Sequence, residues 1–199
     1  MQAFLIALFS SMIINNIVLS GYKGLCSYLG VSKKWSSAVG MGAALTIVAF
    51  FAGLICWGLS FLLEALGIQY MATVVYILVI ASLVQILEIL TKKFMPSLYK
   101  ALGIYLPLIT TNCVVLGLAL SVGSMHPSEA ISMGETVAQV FGTCLGMPLG
   151  YFLIIVIFSA IQDKLALSTT HKAFKGAALG FICTAFMALA FVGLGGFFG

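Results

Sequence analysis

The sequence predicts an all-α polytopic membrane protein of six transmembrane helices. Three observations carry that prediction: the scarcity of charge, six long apolar stretches, and the placement of the lysines. The 199 residues are 62% hydrophobic and 7% charged, whereas soluble domains carry about 25% charged residues. A chain so poor in charge has too little polar surface to face water, so hydrocarbon is the solvent for most of it. A helix crossing the hydrocarbon core needs roughly 20 apolar residues. Stretches of that kind run about 3–20, 38–63, 70–91, 101–122, 136–161 and 174–198. Little chain is left over, so a single membrane domain over 1–199 is expected.

The first stretch does not read as a cleavable signal, because no basic residue precedes it and Asn15 and Asn16 interrupt its apolar run. From Gln2 to Lys33 the chain is longer than one crossing requires, and Gly21, Gly24 and Gly30 punctuate the surplus. The second stretch is featureless apart from Cys56. The third carries Gln85 and Glu88 near its end. In the fourth, Pro107 removes a backbone donor, and Thr110-Thr111-Asn112 supplies side chains able to satisfy a broken backbone. The fifth contains Gly142-Thr143-Cys144-Leu145-Gly146, small residues suited to a close helix contact. The sixth is apolar and closes in glycines.

Six spans divide into halves of three, about 1–99 and 100–199. Because three is odd, equivalent helices run in opposite directions, the arrangement of inverted repeats with sites on broken helices near the midplane. Asn15-Asn16-Ile17-Val18-Leu19 echoes Thr111-Asn112-Cys113-Val114-Val115-Leu116. The first and fourth helices are therefore expected to be broken and covered by protein, since unwound backbone is not tolerated against lipid. All nine basic residues are lysines, and they fall in the first, third and fifth loops (Lys23, Lys33, Lys34; Lys92, Lys93, Lys100; Lys164, Lys172, Lys175). Lysine-rich short loops stay cytoplasmic, which puts both termini outside. Lysines scattered for topology do not make a nucleic-acid surface, so no nucleic-acid partner is expected.

Few side chains suggest chemistry. Cys56, Cys144 and Cys183 read as small packing residues. Cys26 and Cys113 stand apart because each lies beside an expected break, and two thiolates there would be half of the four that an iron–sulfur cluster takes. No Cys-x-x-Cys pair occurs, so spacing alone completes no metal site. Glu88 lies inside a span, where a carboxylate usually marks an ion path or a pair. Gln85 sits one turn back on its face, and Lys92 one turn on is the alternative partner. His126 and His171 read as solvent-exposed loop residues, and Glu64, Glu129, Glu135 and Asp163 as solvated ends. No phosphate loop or nucleophile motif appears.

Several runs are long enough to carry a resemblance. Asn15-Asn16-Ile17-Val18-Leu19, Gly24-Leu25-Cys26 leading to Leu29-Gly30-Val31-Ser32-Lys33-Lys34, and Gly40-Met41-Gly42 form one set. Leu83-Val84-Gln85-Ile86-Leu87-Glu88, and Leu98-Tyr99 leading to Leu102-Gly103-Ile104-Tyr105-Leu106-Pro107-Leu108-Ile109-Thr110-Thr111-Asn112-Cys113, form another. They resemble the A subunits of Rnf complexes, a family that also holds the E subunit of sodium-pumping NADH:quinone reductase. The doubled Asn and the Thr-Thr-Asn-Cys-Val-Val-Leu-Gly run are closer to the Rnf form, and the resemblance extends from the first span to the last.

What the resemblance implies goes further than the residues do. It implies a multi-pass subunit of a bacterial inner-membrane complex that passes electrons between ferredoxin and NAD and moves Na+ or H+, with no activity of the isolated chain. It implies pairing with a homologous subunit of opposite topology (E-like), beside B, C, D and G subunits. Between the pair it implies an intramembrane iron–sulfur cluster, of the [2Fe–2S] type, with Cys26 and Cys113 as this chain's ligands. Alternating reduction there would bias inward-open against outward-open arrangements of the halves; from their position inside a span rather than from the resemblance, Glu88 and Gln85 are the candidates for the cation route. The competing readings are a quinone-reductase subunit, a secondary transporter acting alone, and a scaffold without cofactor.

Overall fold

A computed structural model of the chain describes residues 2–31, 35–94, 106–127, 132–166 and 177–198. Those residues are helical with short connections and no strand. In chain order the α-helices are α1 (Gln2–Phe9), α2 (Leu25–Val31), α3 (Trp35–Ala65), α4 (Ala72–Phe94), α5 (Leu106–Thr110), α6 (Cys113–Gly123), α7 (Met133–Ala166) and α8 (Ala177–Phe198). A π-helical turn, Ser10–Ile14, continues α1, and a 3-10 turn, Gln69–Met71, leads into α4.

Three of these are long and apolar enough to cross a membrane: Trp35–Ala65, Gln69–Ile89 and Met133–Leu165. Three shorter apolar helices accompany them, Ala3–Ile14, Leu108–Gly123 and Ala178–Gly193. Each of the six coincides with one apolar stretch of the sequence. The first and fourth are short because both are interrupted. Lys33, Lys34, Lys100, Lys172 and Lys175 of the lysine pattern, together with Glu129 and His171, lie outside the described residues.

The core is a pair of long helices, α3 and α7, packed along their lengths. Their contact is built from small residues against large ones: the bare face of Gly42 receives the Phe152 ring, and Gly53 faces Cys144 Sγ. In a membrane no hydrophobic force drives helices together, so close van der Waals packing at such positions does the work. Pro148 sits inside α7, where it removes one intrahelical bond. Thr46 of α3 donates its hydroxyl to the Gly42 carbonyl at 2.8 Å and reaches the Pro148 carbonyl at 3.5 Å.

The interrupted helices pack against this pair. The first, α1 and its π turn, lies on α7, while the fourth, α5 and α6, lies chiefly on α3 and α4. The first contact is dictated by a glycine stripe. Gly142, Gly146 and Gly150 recur every four residues on α7, so they share one face. A Cβ at each would come within 2.7 Å of the Phe4 carbonyl, 2.6 Å of the Leu8 carbonyl and 2.8 Å of the Met12 carbonyl. Three backbone carbonyls spaced by four thus rest on three glycines spaced by four. The close contact expected of the Gly-Thr-Cys-Leu-Gly run is present. Cys144 itself is buried with Cys56 between helices.

Candidate functional site at the two helix breaks

The first break begins where the π turn ends. Asn15 N–H donates to the Ser10 carbonyl at 2.8 Å, five residues back, and no helical ladder follows. Asn16 is buried and replaces the lost ladder with its side chain. Its Nδ2 donates to the Met12 carbonyl at 3.0 Å, and its Oδ1 accepts from Val18 N–H at 3.1 Å. The chain then turns through Ile17–Lys23, with Lys23 N–H donated to the Ile17 carbonyl at 3.1 Å. Tyr22 lies in the left-handed region at φ +50°, and Gly24 at φ +82°. The left-handed region disfavours a tyrosine, so the turn is held by its surroundings. The helix resumes at Leu25. The sequence expectation of a break here is met, but Gly30 does not contribute to it, because it lies inside α2.

The second break is shorter. Asn112 N–H donates to the Ile109 carbonyl at 3.1 Å, closing α5. Asn112 then caps α6 from an extended backbone conformation, its Oδ1 accepting from Val114 N–H at 3.1 Å. An Asn in this position satisfies an amide that the helix start leaves without a partner. The bond is the same as that from Val18 to Asn16, and the two residues occupy matching places in the two echoed sequence runs.

The breaks meet. Gly24 N–H points at Cys113 Sγ, 3.4 Å away. A Cβ on Gly24 would overlap Val114 Cγ2 and lie 3.4 Å from Asn112 Oδ1, so only glycine fits this crossing. Ser27, one turn into α2, is buried beneath the junction. Asn112 Nδ2 donates to its Oγ at 3.0 Å, and that hydroxyl donates to the Gly24 carbonyl at 3.0 Å. The hydroxyl of Tyr151, from α7, lies 2.9 Å from Ser27 Oγ. A serine hydroxyl has one proton to give and two lone pairs to fill, so with its proton on Gly24 the tyrosine is the donor. Every member of this buried cluster is satisfied.

Cys26 and Cys113 sit on the open side of that cluster. Both are free thiols and both are exposed on this chain, although Ser27, Asn112 and Val114 beside them are buried. Among the described residues no three His, Cys, Asp or Glu side chains converge on one point. Cys113 Sγ accepts from the Gly24 amide, and Cys26 follows that glycine by two residues.

The remaining candidates lie elsewhere. Glu88 and Gln85 are on α4, Glu88 half-buried with an interaction of its own and Gln85 exposed. His126 departs from expectation: it is partly buried, with Nδ1 3.0 Å from Glu64 Oε2 and its ring against Phe61. The sequence hides this pair because α3 and α6 end side by side only in the fold. Nor does the sequence single out Ser27 and Tyr151. For Tyr151 a signal exists, since a tyrosine in the middle of an apolar span needs a partner for its hydroxyl.

The similarity to known proteins agrees with the architecture. Residues 4–198 match the family model described as Rnf-Nqr subunit, membrane protein. The chain belongs to the Rnf-Nqr family of membrane proteins. It is 42% identical over 197 residues to the A subunit of the ion-translocating oxidoreductase complex of Azoarcus sp. (strain BH72), covering 98% of each chain. It is 42% identical over 188 residues to the A subunit of the Na(+)-translocating ferredoxin:NAD(+) oxidoreductase complex of Acetobacterium woodii, covering 94% of each. A third relative, the A subunit of the ion-translocating oxidoreductase complex of Aliivibrio fischeri, is 40% identical over 98% of each chain. Family membership therefore extends across the first break, the second break and the helices that hold them together.

Proposed function

We propose that this chain is the A subunit of an ion-translocating ferredoxin:NAD oxidoreductase complex in a bacterial inner membrane, and that Cys26 and Cys113 supply half the ligands of an iron–sulfur cluster. The names and full-length similarity of the relatives support the first part. One observation carries the second: two separate helix breaks converge so that the amide at Gly24 donates to Cys113 Sγ, with Cys26 two residues further on and both thiols exposed. The donor set fits half of a four-thiolate centre, whose properties are tuned by hydrogen bonds to its sulfurs. The missing half calls for a partner, and the homologous subunit of opposite topology is the partner of matching shape, beside the B, C, D and G subunits. Bound at the junction, a [2Fe–2S] cluster would supply a one-electron relay within the membrane.

This chain's own residues hold the geometry. Asn16 and Asn112 satisfy amides freed by the breaks, Gly24 permits the crossing, and Ser27 with Tyr151 locks it from beneath. The inverted repeat is supported by how the helices pair. If the first three spans exchange with the last three, the contact of the first on the fifth becomes that of the fourth on the second. The contact of the third on the fourth becomes that of the sixth on the first. Both members of each pair are present. With the lysine pattern, this favours six spans and termini on the outer side. Within it, Glu88 and Gln85 line the cation route, and a Glu88→Gln variant that keeps its iron but loses ion transport is the result expected of that role.

The test is iron content and low-temperature EPR of the purified complex, wild type beside Cys26→Ala and Cys113→Ala. Loss of one iron–sulfur signal in both variants, with other cofactors unchanged, is the expected outcome. An unchanged spectrum in either would remove that cysteine from the ligand set and favour a carrier without a cluster.

A further inference from the structure

Lys23 reads in the sequence as one of the loop lysines that set topology, and a lysine serving only that purpose should extend into water. It does not extend. Its stem lies along the middle of α6, where a Cβ on Gly117 would fall 2.6 Å from Lys23 Cδ and 3.2 Å from Cε. The absence of a side chain at Gly117 forms the groove that receives it. The ammonium folds back over the break, 3.4 Å from where a Cβ of Gly21 would stand. Gly117 is four residues after Cys113, so the two occupy one helix face about 6 Å apart. On the other side, the peptide that joins Lys23 to Gly24 is the one whose N–H donates to Cys113 Sγ. The backbone after Lys23 thus reaches Cys113 itself while its stem packs one turn further along α6, and the left-handed Tyr22 precedes it in the turn.

We propose that Lys23 sets the reduction potential of the iron–sulfur centre at Cys26 and Cys113, its ammonium stabilising the reduced form. This rests on the cluster reading above. Reduction brings in one electron, delivered through the oxidoreductase complex, and makes or breaks no bond, but it adds negative charge to an already anionic four-thiolate centre. A positive charge whose stem packs one helical turn from Cys113 opposes that build-up by its attraction for the added electron. The sign follows directly: with Lys23 in place the potential is higher, and without its charge it falls. Lys23 is here a positioning charge and touches no reacting atom.

The experiment is a redox titration of the purified complex followed by EPR, with iron content in parallel, for wild type, Lys23→Met and Lys23→Arg. The Met side chain keeps the stem on Gly117 and loses the charge. The expected result is a reduction equilibrium about tenfold or more less favourable in Lys23→Met, about 59 mV for a one-electron couple, with iron unchanged and Lys23→Arg close to wild type. An unmoved potential in Lys23→Met overturns the proposal. So does loss of iron in Lys23→Met with retention in Lys23→Arg, because the lysine would then serve assembly. A wild-type complex without a signal dependent on Cys26 and Cys113 marks a different failure, that of the cluster reading itself.

Discussion

Replacing Gly24 by alanine tests whether the crossing of the two breaks is as tight as its geometry implies. Two costs arise at that residue. At φ +82° an L-residue loses roughly 1–2 kcal/mol relative to glycine. The new methyl also overlaps Val114 Cγ2, and Val114 is wholly buried, so repacking there costs about 1–3 kcal/mol. Gly24→Ala should therefore destabilise the chain by about 2–5 kcal/mol. The control is Gly30, six residues on and inside α2, where a Cβ meets nothing within 4 Å. Gly30→Ala should stabilise by about 0.5–1 kcal/mol, because alanine loses less backbone freedom on entering a helix. The assay is unfolding of the chain by SDS in mixed micelles, followed by the fluorescence of Trp35 and Trp57, with the alkylation rate of Cys113 read alongside. That rate should change in Gly24→Ala alone, since the amide facing Cys113 Sγ is displaced. If the two substitutions fall within about 1 kcal/mol of each other, the crossing is loose and the reasoning is wrong.

Gly146→Leu places a side chain where the Leu8 carbonyl rests, and should cost upwards of about 3 kcal/mol, read as loss of folded protein in the same titration. Tyr151→Phe removes one donor from Ser27 and should cost about 1 kcal/mol, whereas Asn112→Ala removes both a helix cap and a second donor and should cost about 2 kcal/mol. The double variant should cost measurably less or more than the sum, since both side chains end on one hydroxyl. Ser159 carries a buried hydroxyl without a hydrogen-bond partner, so Ser159→Ala should be neutral or stabilising by up to about 1 kcal/mol, and a loss of stability would show that the hydroxyl has a role.

The spans are legible because hydrocarbon imposes a length and a composition that few soluble sequences imitate. The breaks are legible for a related reason: Asn, Thr and Pro inside an apolar run are costly unless the backbone there has left the helix. These residues mark where the breaks lie and not how far they run. The first one starts at Asn15, where the Asn run marks it, and the buried Asn16 side chain ends the helix, but it stops before Gly30, which lies inside α2. What the sequence conceals are contacts between segments far apart in the chain. Nothing local to Lys23 says that its stem will find the bare face of Gly117. Nothing local to His126 says that Glu64 will stand beside it. The glycine stripe of α7 is visible as small residues, yet its partner carbonyls on α1 are not, because backbone atoms leave no mark in a pattern of side chains.

The two breaks also depend on one another, and this bears on how such a site is made. An interrupted helix in hydrocarbon leaves amides and carbonyls that must find partners. Each break satisfies part of its need internally, through Asn16 in one and Asn112 in the other. The remainder is exchanged. The amide of Gly24 in the first break points to Cys113 in the second, and Asn112 of the second gives its Nδ2 to Ser27 of the first. Neither half of the chain contains both members of either contact. The half before residue 100 alone would leave the Gly24 amide and the Ser27 lone pairs without these partners, and the half after it would leave the Asn112 amide and Tyr151 hydroxyl likewise. Closing the two halves on each other is therefore the step that satisfies the breaks, and the same step brings Cys26 and Cys113 to one exposed junction. On this view the thiol pair needs no separate device to hold it, since the polar groups freed by two broken helices stabilise an arrangement in which they bond to one another.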